Sequence, residues 1–363
     1  MSKVLIVTNQ SYMLWRFRKE VIEKILERNK VVLVTPFVGH EDDFEKIGCK
    51  CICVDVDRRG INPITDIKLI NRYRKLINQE KPDLVITYSI KPNIYMGAVC
   101  RWKKVSYCVN VQGLGTAFQS KKLAFVVTGM YRWALKKAKN VFFENKKNAE
   151  EFLNKKIIPY EKIVILHGAG INLKEYKYSP YPKQNVVSFL YLGRIMKEKG
   201  MDEFFEVVQK IKKEYGNKVE FHIVGFFEDS YKEIVEQLEK EGVILFHGFQ
   251  KETRPFYKNA DCIVLPSYHE GMSNVLLEAA ATGRVIITSN IPGCKETVID
   301  GETGWLCAAK DTQQLYEKVK IVMDTSREKL ESMGAKGRKL MEEQFDRENI
   351  VKETIEYLGL TEK

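Results

Sequence analysis

The sequence predicts an α/β protein of two Rossmann-like, doubly wound domains in tandem, facing a central cleft. Three observations predict it. Short apolar runs alternate with helix-length amphipathic segments almost throughout, the pattern of a parallel sheet wrapped by helices. The alternation stops once, at 172–185, where Pro180 and Pro182 stand among Tyr and Lys residues and a linker is expected, and then restarts. The length, 363 residues, exceeds what one ordinary core holds and suits two.

In the first half, Lys3–Thr8 reads as a buried strand, and Leu14–Arg28 as a helix with Phe17, Val21 and Ile25 on one face. Strands follow at Val31–Thr35 and Cys49–Val54, a helix at Thr65–Asn78, and a strand at Asp83–Thr87 after Pro82. Helix Asn93–Trp102, strand Tyr107–Val111, helix Lys122–Lys137 and strands Asn140–Glu144 and Lys162–Leu166 complete this half. After the break, strands read at Val186–Leu192, Val219–Val224, Val243–Phe246, Asp261–Leu265 and Val285–Thr288. Helices Met201–Tyr215, Asp229–Lys240 and Ser273–Thr282 lie between them, and three more close the chain at 311–324, 326–343 and 346–358. The expected domains are 1–175 and 176–345, with a helix in 346–363 returning to the first.

A hydrophobic content of 44% with 29% charged residues excludes large-scale disorder. No apolar run reaches the roughly 18 residues of a membrane span. The start, Met1–Gln10, lacks the long apolar region of a secretion signal, so a cytoplasmic protein is expected. The eight cysteines form no Cys-x-x-Cys pair. Cys49, Cys51 and Cys53 share one face of a strand, and the expectation is that they serve as small apolar residues rather than as metal ligands. Charge is divided unevenly. Residues 1–180 hold 33 Lys and Arg against 17 Asp and Glu, and the remainder holds 26 against 31. A basic first half suits nucleic acid or an anionic membrane surface. No nucleic-acid-binding motif is present, which leaves the membrane.

Ligands of such sheets bind where strands run into helix N-termini. Gly193-Arg194 and Lys197-Glu198-Lys199-Gly200 follow one strand and precede a helix, where Arg194 and Lys199 can hold a phosphate. A solvated charge cluster is the alternative. Pro266 to Asn274 follows the strand at Asp261–Leu265 and opens the next helix. There Glu270 stands in the loop and Glu278 inside the helix. Backbone N–H groups of Gly271, Met272, Ser273 and Asn274 are expected to be free for phosphate or sugar oxygens. Glu278 can accept from ribose hydroxyls and Glu270 from sugar hydroxyls; the alternative is that Glu270 simply suits the helix dipole.

The ordered set of Gly193-Arg194, Lys199-Gly200, Glu270, Glu278 and the run Asn290-Ile-Pro-Gly-Cys-Lys-Glu-Thr-Val-Ile-Asp-Gly-Glu-Thr-Gly resembles the retaining glycosyltransferases of family 4, of GT-B fold, over nearly the whole chain. The resemblance implies that Arg194 and Lys199 bind the donor diphosphate, that Glu278 binds the nucleoside ribose and that Glu270 contacts the donor sugar. Gly271–Asn274 would lie under the sugar and phosphate, and Gly248-Phe249 near the base. Glu270, Arg194 and Lys199 are the implied catalytic set. Phe17-Arg18, Arg59-Gly60-Ile61-Asn62-Pro63, Ile90-Lys91-Pro92-Asn93-Ile94-Tyr95 and Gly113-Leu114-Gly115-Thr116-Ala117-Phe118 are similar to enzymes that extend lipid-linked sugars. Among these the likeness is strongest to N-acetylgalactosaminyltransferases acting on undecaprenyl-diphosphate-linked bacillosamine, and to capsule enzymes. Arg18, Lys91, Asn93, Gly113 and Gly115 are the implied acceptor-binding positions, although the two glycines also suit a simple turn.

The chain departs from some relatives in one respect. The loop after Asp83–Thr87 reads Tyr88-Ser89-Ile90-Lys91, without the histidine they place there. Asp55-Val56-Asp57 has the form of a metal-binding Asp-x-Asp, but it stands far from the donor motif, with Arg58 and Arg59 as salt partners. No metal is expected, because Arg194 and Lys199 can stabilise the leaving diphosphate. The expected activity is transfer of a sugar, N-acetylgalactosamine by preference, from a UDP-sugar to a polyprenyl-diphosphate-linked saccharide with retention, at the inner face of the cell membrane. Residues Leu123–Leu135, apolar between two lysine pairs, suit either an interfacial helix or one packed on the sheet. A sugar-nucleotide epimerase and a non-catalytic basic scaffold are the competing readings.

Overall fold

In the computed structural model, which describes residues 1–57, 62–113 and 121–361, the chain divides into two units. Unit 1 is Met1–Ala169 with Glu348–Lys363, and unit 2 is Gly170–Arg347.

Unit 1 runs β1 (Lys3–Val7), α1 (Ser11–Leu26), β2 (Lys30–Thr35), α2 (Glu41–Lys46), β3 (Lys50–Cys53), α3 (Pro63–Glu80), β4 (Leu84–Tyr88), α4 (Ile90–Lys103), β5 (Ser106–Val111), α5 (Lys121–Ala134), β6 (Val141–Phe143), α6 (Lys146–Asn154) and β7 (Ile163–Ile165). Among the described residues the strands form one parallel sheet of order β3-β2-β1-β4-β5-β6-β7. Successive side chains enter opposite cores. Leu5 and Val7 pack with Val85, Val109 and Met96 on one face, whereas Val4 and Ile6 pack with Ile86, Leu14 and Ile22 on the other. With both faces covered, the central positions of β1, β2 and β4 are apolar on both sides, which is why these strands read as apolar runs.

Unit 2 runs β8 (Val187–Leu192), α7 (Met201–Tyr215), β9 (Val219–Val224), α8 (Lys232–Lys240), β10 (Leu245–Phe246), α9 (Arg254–Asn259), β11 (Cys262–Leu265), α10 (Asn274–Ala281), β12 (Val285–Ser289), β13 (Gly304–Cys307), α11 (Thr312–Asp324) and α12 (Arg327–Gln344). Its parallel sheet has the order β10-β9-β8-β11-β12-β13. The last helix, α13 (Arg347–Leu358), sends Val351, Ile355 and Leu358 into the core of unit 1 that holds Val4 and Ile6. Both sheets reverse their winding beside their first strand, between β1 and β4 and between β8 and β11. These are the switch points where doubly wound sheets bind ligands.

The structure corrects the sequence reading in four places. Short helices α2, α6 and α9 and strand β13 were not anticipated. Strand β13 begins at Gly304, and glycine argues against a strand; here a Cβ would strike the Ile286 carbonyl of the paired strand, so the pairing itself demands glycine. Residues 172–185 are not a loose linker: Tyr176 and Tyr181 are buried in the unit 2 core, and the division falls before them, at Ala169–Gly170. The helix expected to reach Lys137 ends at Ala134, its last three residues forming a 3-10 turn.

All eight cysteines are unpaired. Burial is the main cause that pushes the Cys49 and Cys51 thiols up to about 12, so neither is a ready thiolate. Asp55 and Asp57 follow β3, while the expected salt partners Arg58 and Arg59, with Gly60 and Ile61, lie outside the described residues.

A histidine pair sits in unit 2. His222 of β9 and His247 stack with centroids 5.2 Å apart, and Nδ1 of the first is 2.9 Å from Nε2 of the second. Burial first, and then the neighbouring His222, hold His247 below the ordinary imidazole range, with Glu239 acting in the opposite sense. The folded chain therefore keeps His247 neutral at a pH where the unfolded chain protonates it. This stability is present above the ordinary value of about 6.5 and is lost as pH falls through the lower folded value. The melting temperature should decline from pH 7 to 5, and His247→Phe should flatten that decline. An equally steep decline in the variant would remove His247 as its source.

Candidate active site

The carboxyl ends of β8 and β11 flank the unit 2 switch point, and the two loops leaving them are locked together. Gly200 has φ +72° and a Cβ there would run into the Pro266 carbonyl, so only glycine lets the loops touch. The Tyr268 amide donates to the Glu198 carbonyl at 2.8 Å. The Tyr268 hydroxyl is held by both Glu203 oxygens, at 2.8 and 2.6 Å. This clamp brings Lys199 onto Glu270: Nζ and Oε1 form an ion pair, with the two side chains only 15% and 13% exposed. Ser267 Oγ donates to the same Glu270 oxygen at 2.9 Å.

Arg194 lies just past β8, its carbonyl fixed by the hydroxyl of the fully buried Tyr191 at 2.7 Å. Its Nη1 is 3.0 Å from Glu228 Oε2, and its side chain is 43% exposed. Glu278 stands one turn into α10, only 3% exposed, and accepts from the Tyr257 hydroxyl at 2.8 Å.

The loop before α10 is supported from beneath by the run after β12. Gly293, at φ +85°, passes so close to Gly271 that a Cβ would strike its carbonyl, and the Glu296 carboxylate accepts from the Gly293 amide at 2.7 Å. This contact corrects one expectation. The amides of Gly271–Asn274 are not all free, because the Ser273 amide donates to the Gly293 carbonyl at 2.8 Å. Met272 and Ser273 are buried, while Asn274 opens α10.

Phe249 is 57% exposed and meets Phe226, itself 47% exposed, edge to face at 6.1 Å. Phe226, Glu228, Tyr257 and the Tyr268–Glu203 clamp were missed in the sequence. Gly225-Phe226, directly after a strand, was the one available signal. Cation, carboxylate and helix N-terminus converge here on one strand edge, beside two exposed aromatic rings. Such a set can neutralise a phosphate, accept from hydroxyls and cover a planar ring.

Comparison with known proteins agrees with this chemistry. The family described as glycosyl transferases group 1 matches residues 175–340, and the one described as glycosyl transferase 4-like matches residues 3–145. The chain belongs to the family 4 glycosyltransferases. A relative in Campylobacter jejuni, N,N'-diacetylbacillosaminyl-diphospho-undecaprenol alpha-1,3-N-acetylgalactosaminyltransferase, is 26% identical over 87% of this chain and 88% of its own. The capsular polysaccharide biosynthesis glycosyltransferase CapM of Staphylococcus aureus is 26% identical over 82% of this chain and 81% of its own. Anabaena HepE, solved with UDP and glucose, superimposes with a TM-score of 0.81 at 15% identity, covering 99% of this chain and 100% of its own. That likeness shows the shared fold of two Rossmann-like domains, the GT-B architecture.

In unit 1 of the glycosyltransferase, Arg18, Lys91 and Asn93, three of the residues expected at the acceptor, are already engaged. Arg18 is buried, with Nη2 2.8 Å from Glu144 Oε1 and its guanidinium 5.6 Å from the Tyr88 ring. With Asn110, Gln112 and Gly168 this pair lines a narrow cleft at the ends of β5 and β6. Lys91 Nζ is 2.8 Å from Asp66 Oδ1. Asn93 is 1% exposed and donates to the Asn110 carbonyl at 2.8 Å, tying α4 to β5, so the structure gives it a framework place rather than an exposed one. Gly113 ends the described part of its loop with open space beside it, and Gly115, with Leu114 and Thr116–Phe118, lies outside the described residues. At the unit 1 switch point Ser89, a non-glycine residue, has φ +74°, and its hydroxyl donates to Asn9 Oδ1 at 2.8 Å. Strain of this kind, held by a hydrogen bond across β1 and β4, is characteristic of ligand loops.

Proposed function

We propose that the glycosyltransferase moves a sugar, N-acetylgalactosamine by preference, from a UDP-sugar to a hydroxyl of a polyprenyl-diphosphate-linked saccharide, with retention at the anomeric carbon and without a metal. The observation that carries the donor half is the mostly buried Lys199–Glu270 pair at the β8/β11 switch point, beside the start of α10. Lys199 and Arg194 take the donor diphosphate, Glu270 the sugar, Glu278 the ribose, and Phe249 with Phe226 the base. Gly271–Asn274 form the floor. As the glycosidic bond breaks, negative charge grows on the β-phosphate, and Lys199, Arg194 and the α10 N-terminus stabilise it in the role a metal plays elsewhere. A donor phosphate oxygen takes the acceptor proton on the same face as the departing group, which gives retention.

The acceptor half takes its support from the Campylobacter jejuni relative, whose name specifies a diphospho-undecaprenol substrate. Arg18, Lys91, Asn93, Gly113 and Gly115 are assigned to that side, with Asn93 acting through the frame. A peripheral place on an anionic membrane is supported by the basic first half and by α5, which leaves Phe125, Val126 and Trp133 exposed. Among the described residues no helix is long and apolar enough to cross a membrane.

Purified protein, a panel of UDP-sugars and a short polyprenyl-diphosphate saccharide test the proposal, with and without EDTA. The expected result is UDP release with a heavier lipid product, unchanged by EDTA, greatest with UDP-N-acetylgalactosamine, and α-linked by proton coupling. A β-linked product would refute retention, and loss of turnover in EDTA would refute the metal-free step. No stabilisation by UDP would refute the donor assignment itself.

A further inference from the structure

Helices α3, α4 and α5 enclose a trench on unit 1. Ile70 of α3, Tyr95 and Ala98 of α4, and Val126, Gly129 and Trp133 of α5 line a cavity of about 560 Å³ with an almost wholly apolar wall. Helical periodicity shows what stands at its ends. Four residues before Ile70 and Tyr95 are Asp66 and Lys91. These two are ion-paired, and the Tyr95 hydroxyl donates to the other Asp66 oxygen at 2.8 Å. Four residues after Ile70 and Ala98 are Arg74 and Trp102, the guanidinium 4.7 Å from the indole centroid. Arg101 covers Trp133 at the same distance. The trench therefore runs along the helices, polar where α3 and α4 begin and capped by cations over indoles at the far end. Between Asp66 and Arg74 the helix rises about 12 Å. Its polar end lies where α4 leaves β4, at the carboxyl edge of the sheet and next to the strained Ser89.

We infer that this trench seats the isoprenoid chain of the acceptor, with the units nearest the diphosphate at the Lys91 end. The inference rests on the polyprenyl-diphosphate reading above and adds a subsite to it. Charge complementarity selects the occupant. Lys91, shared with Asp66, is the cation at the head end, and Arg74, Arg101 and Arg132 leave the rim of the apolar floor with an excess of positive charge, which draws in an apolar chain that carries an anionic head. The shape matters too: a concave cavity of this volume fits one chain.

Gly129 provides the test. It is helical, and nothing lies within 4 Å of where its Cβ would stand. Gly129→Leu thus fills the trench without crowding, and leucine is the better helix former. The intact chain is titrated with geranylgeranyl diphosphate, with inorganic diphosphate and with phosphatidylglycerol vesicles. Geranylgeranyl diphosphate should bind tighter than inorganic diphosphate, and Gly129→Leu should weaken it by about tenfold or more. Vesicle binding should stay unchanged or rise, since the added leucine enlarges the apolar face. Isoprenoid binding no tighter than that of inorganic diphosphate, or unaffected by Gly129→Leu, overturns the inference. Vesicle binding lost in parallel would make the trench a membrane contact instead, and a dimer dissolved by the variant would make it an interface between copies. UDP-induced thermal stabilisation, measured alongside, reads the donor site alone, so failure of the trench and failure of the donor assignment are separable.

Discussion

Lys199→Met should lower kcat for sugar transfer by about 10²- to 10³-fold, the usual loss when one preorganised stabiliser of transition-state charge is removed. The effect should fall on kcat more than on KM, because the charge on the departing phosphate grows only as the bond breaks. Lys199 is 15% exposed, so its field is poorly screened. Arg194 is 43% exposed and already paired with Glu228. Arg194→Met should therefore cost less, and its cost should shrink in added salt. Lys199→Met also leaves Glu270 mostly buried without its cation, which by itself destabilises a fold. The double variant Lys199→Met/Glu270→Gln separates the two effects. It should recover melting temperature and remain inactive. Recovery of turnover along with stability would show that Lys199 only supports the loop.

Arg284→Leu should destabilise unit 2 by about 3–5 kcal/mol, the range for breaking a buried charged network. Arg284 is fully buried at the start of β12. Its guanidinium donates to the carbonyls of Tyr257 at 2.9 Å, Ser179 at 2.7 Å, Lys258 at 2.7 Å and Pro180 at 3.0 Å, with longer contacts to Thr282 and Gly283. Tyr181 covers it at 4.8 Å. Burial opposes the charge and lowers its pKa, but these carbonyls provide the oxygen shell that water would otherwise supply. Leucine fills the space and strands the carbonyls. The loss also reaches the site, since the Tyr257 held by Arg284 is the residue that donates to Glu278. Calorimetry should show a melting midpoint lower by on the order of 10 °C, and UDP affinity should weaken with it. An unchanged midpoint would mean that water replaces the guanidinium.

Much of this architecture was legible in the residues. The apolar runs at Val4–Val7, Val31–Val34 and Ile263–Leu265, rich in β-branched residues, read as strands buried on both faces, and the strand–helix alternation points to parallel sheets. The loops of Arg194, Lys199 and Glu270 could be placed at strand ends because each follows such a run.

What tertiary structure alone decided are the relations between residues distant in sequence. Glycine at position 304 reads as a strand breaker until the Ile286 carbonyl is seen against it, and Tyr176 and Tyr181 read as linker until their burial is seen. The Tyr268–Glu203 clamp, the Tyr257–Glu278 bond and the Gly293–Gly271 contact join residues 21 to 65 positions apart, and no local periodicity encodes them. The sequence by itself determined which segments become strands and helices, because burial pattern and backbone propensity act within a few residues. The folded chain determined which charges are paired and which amides are taken, because those depend on desolvation and on partners that only packing brings within reach.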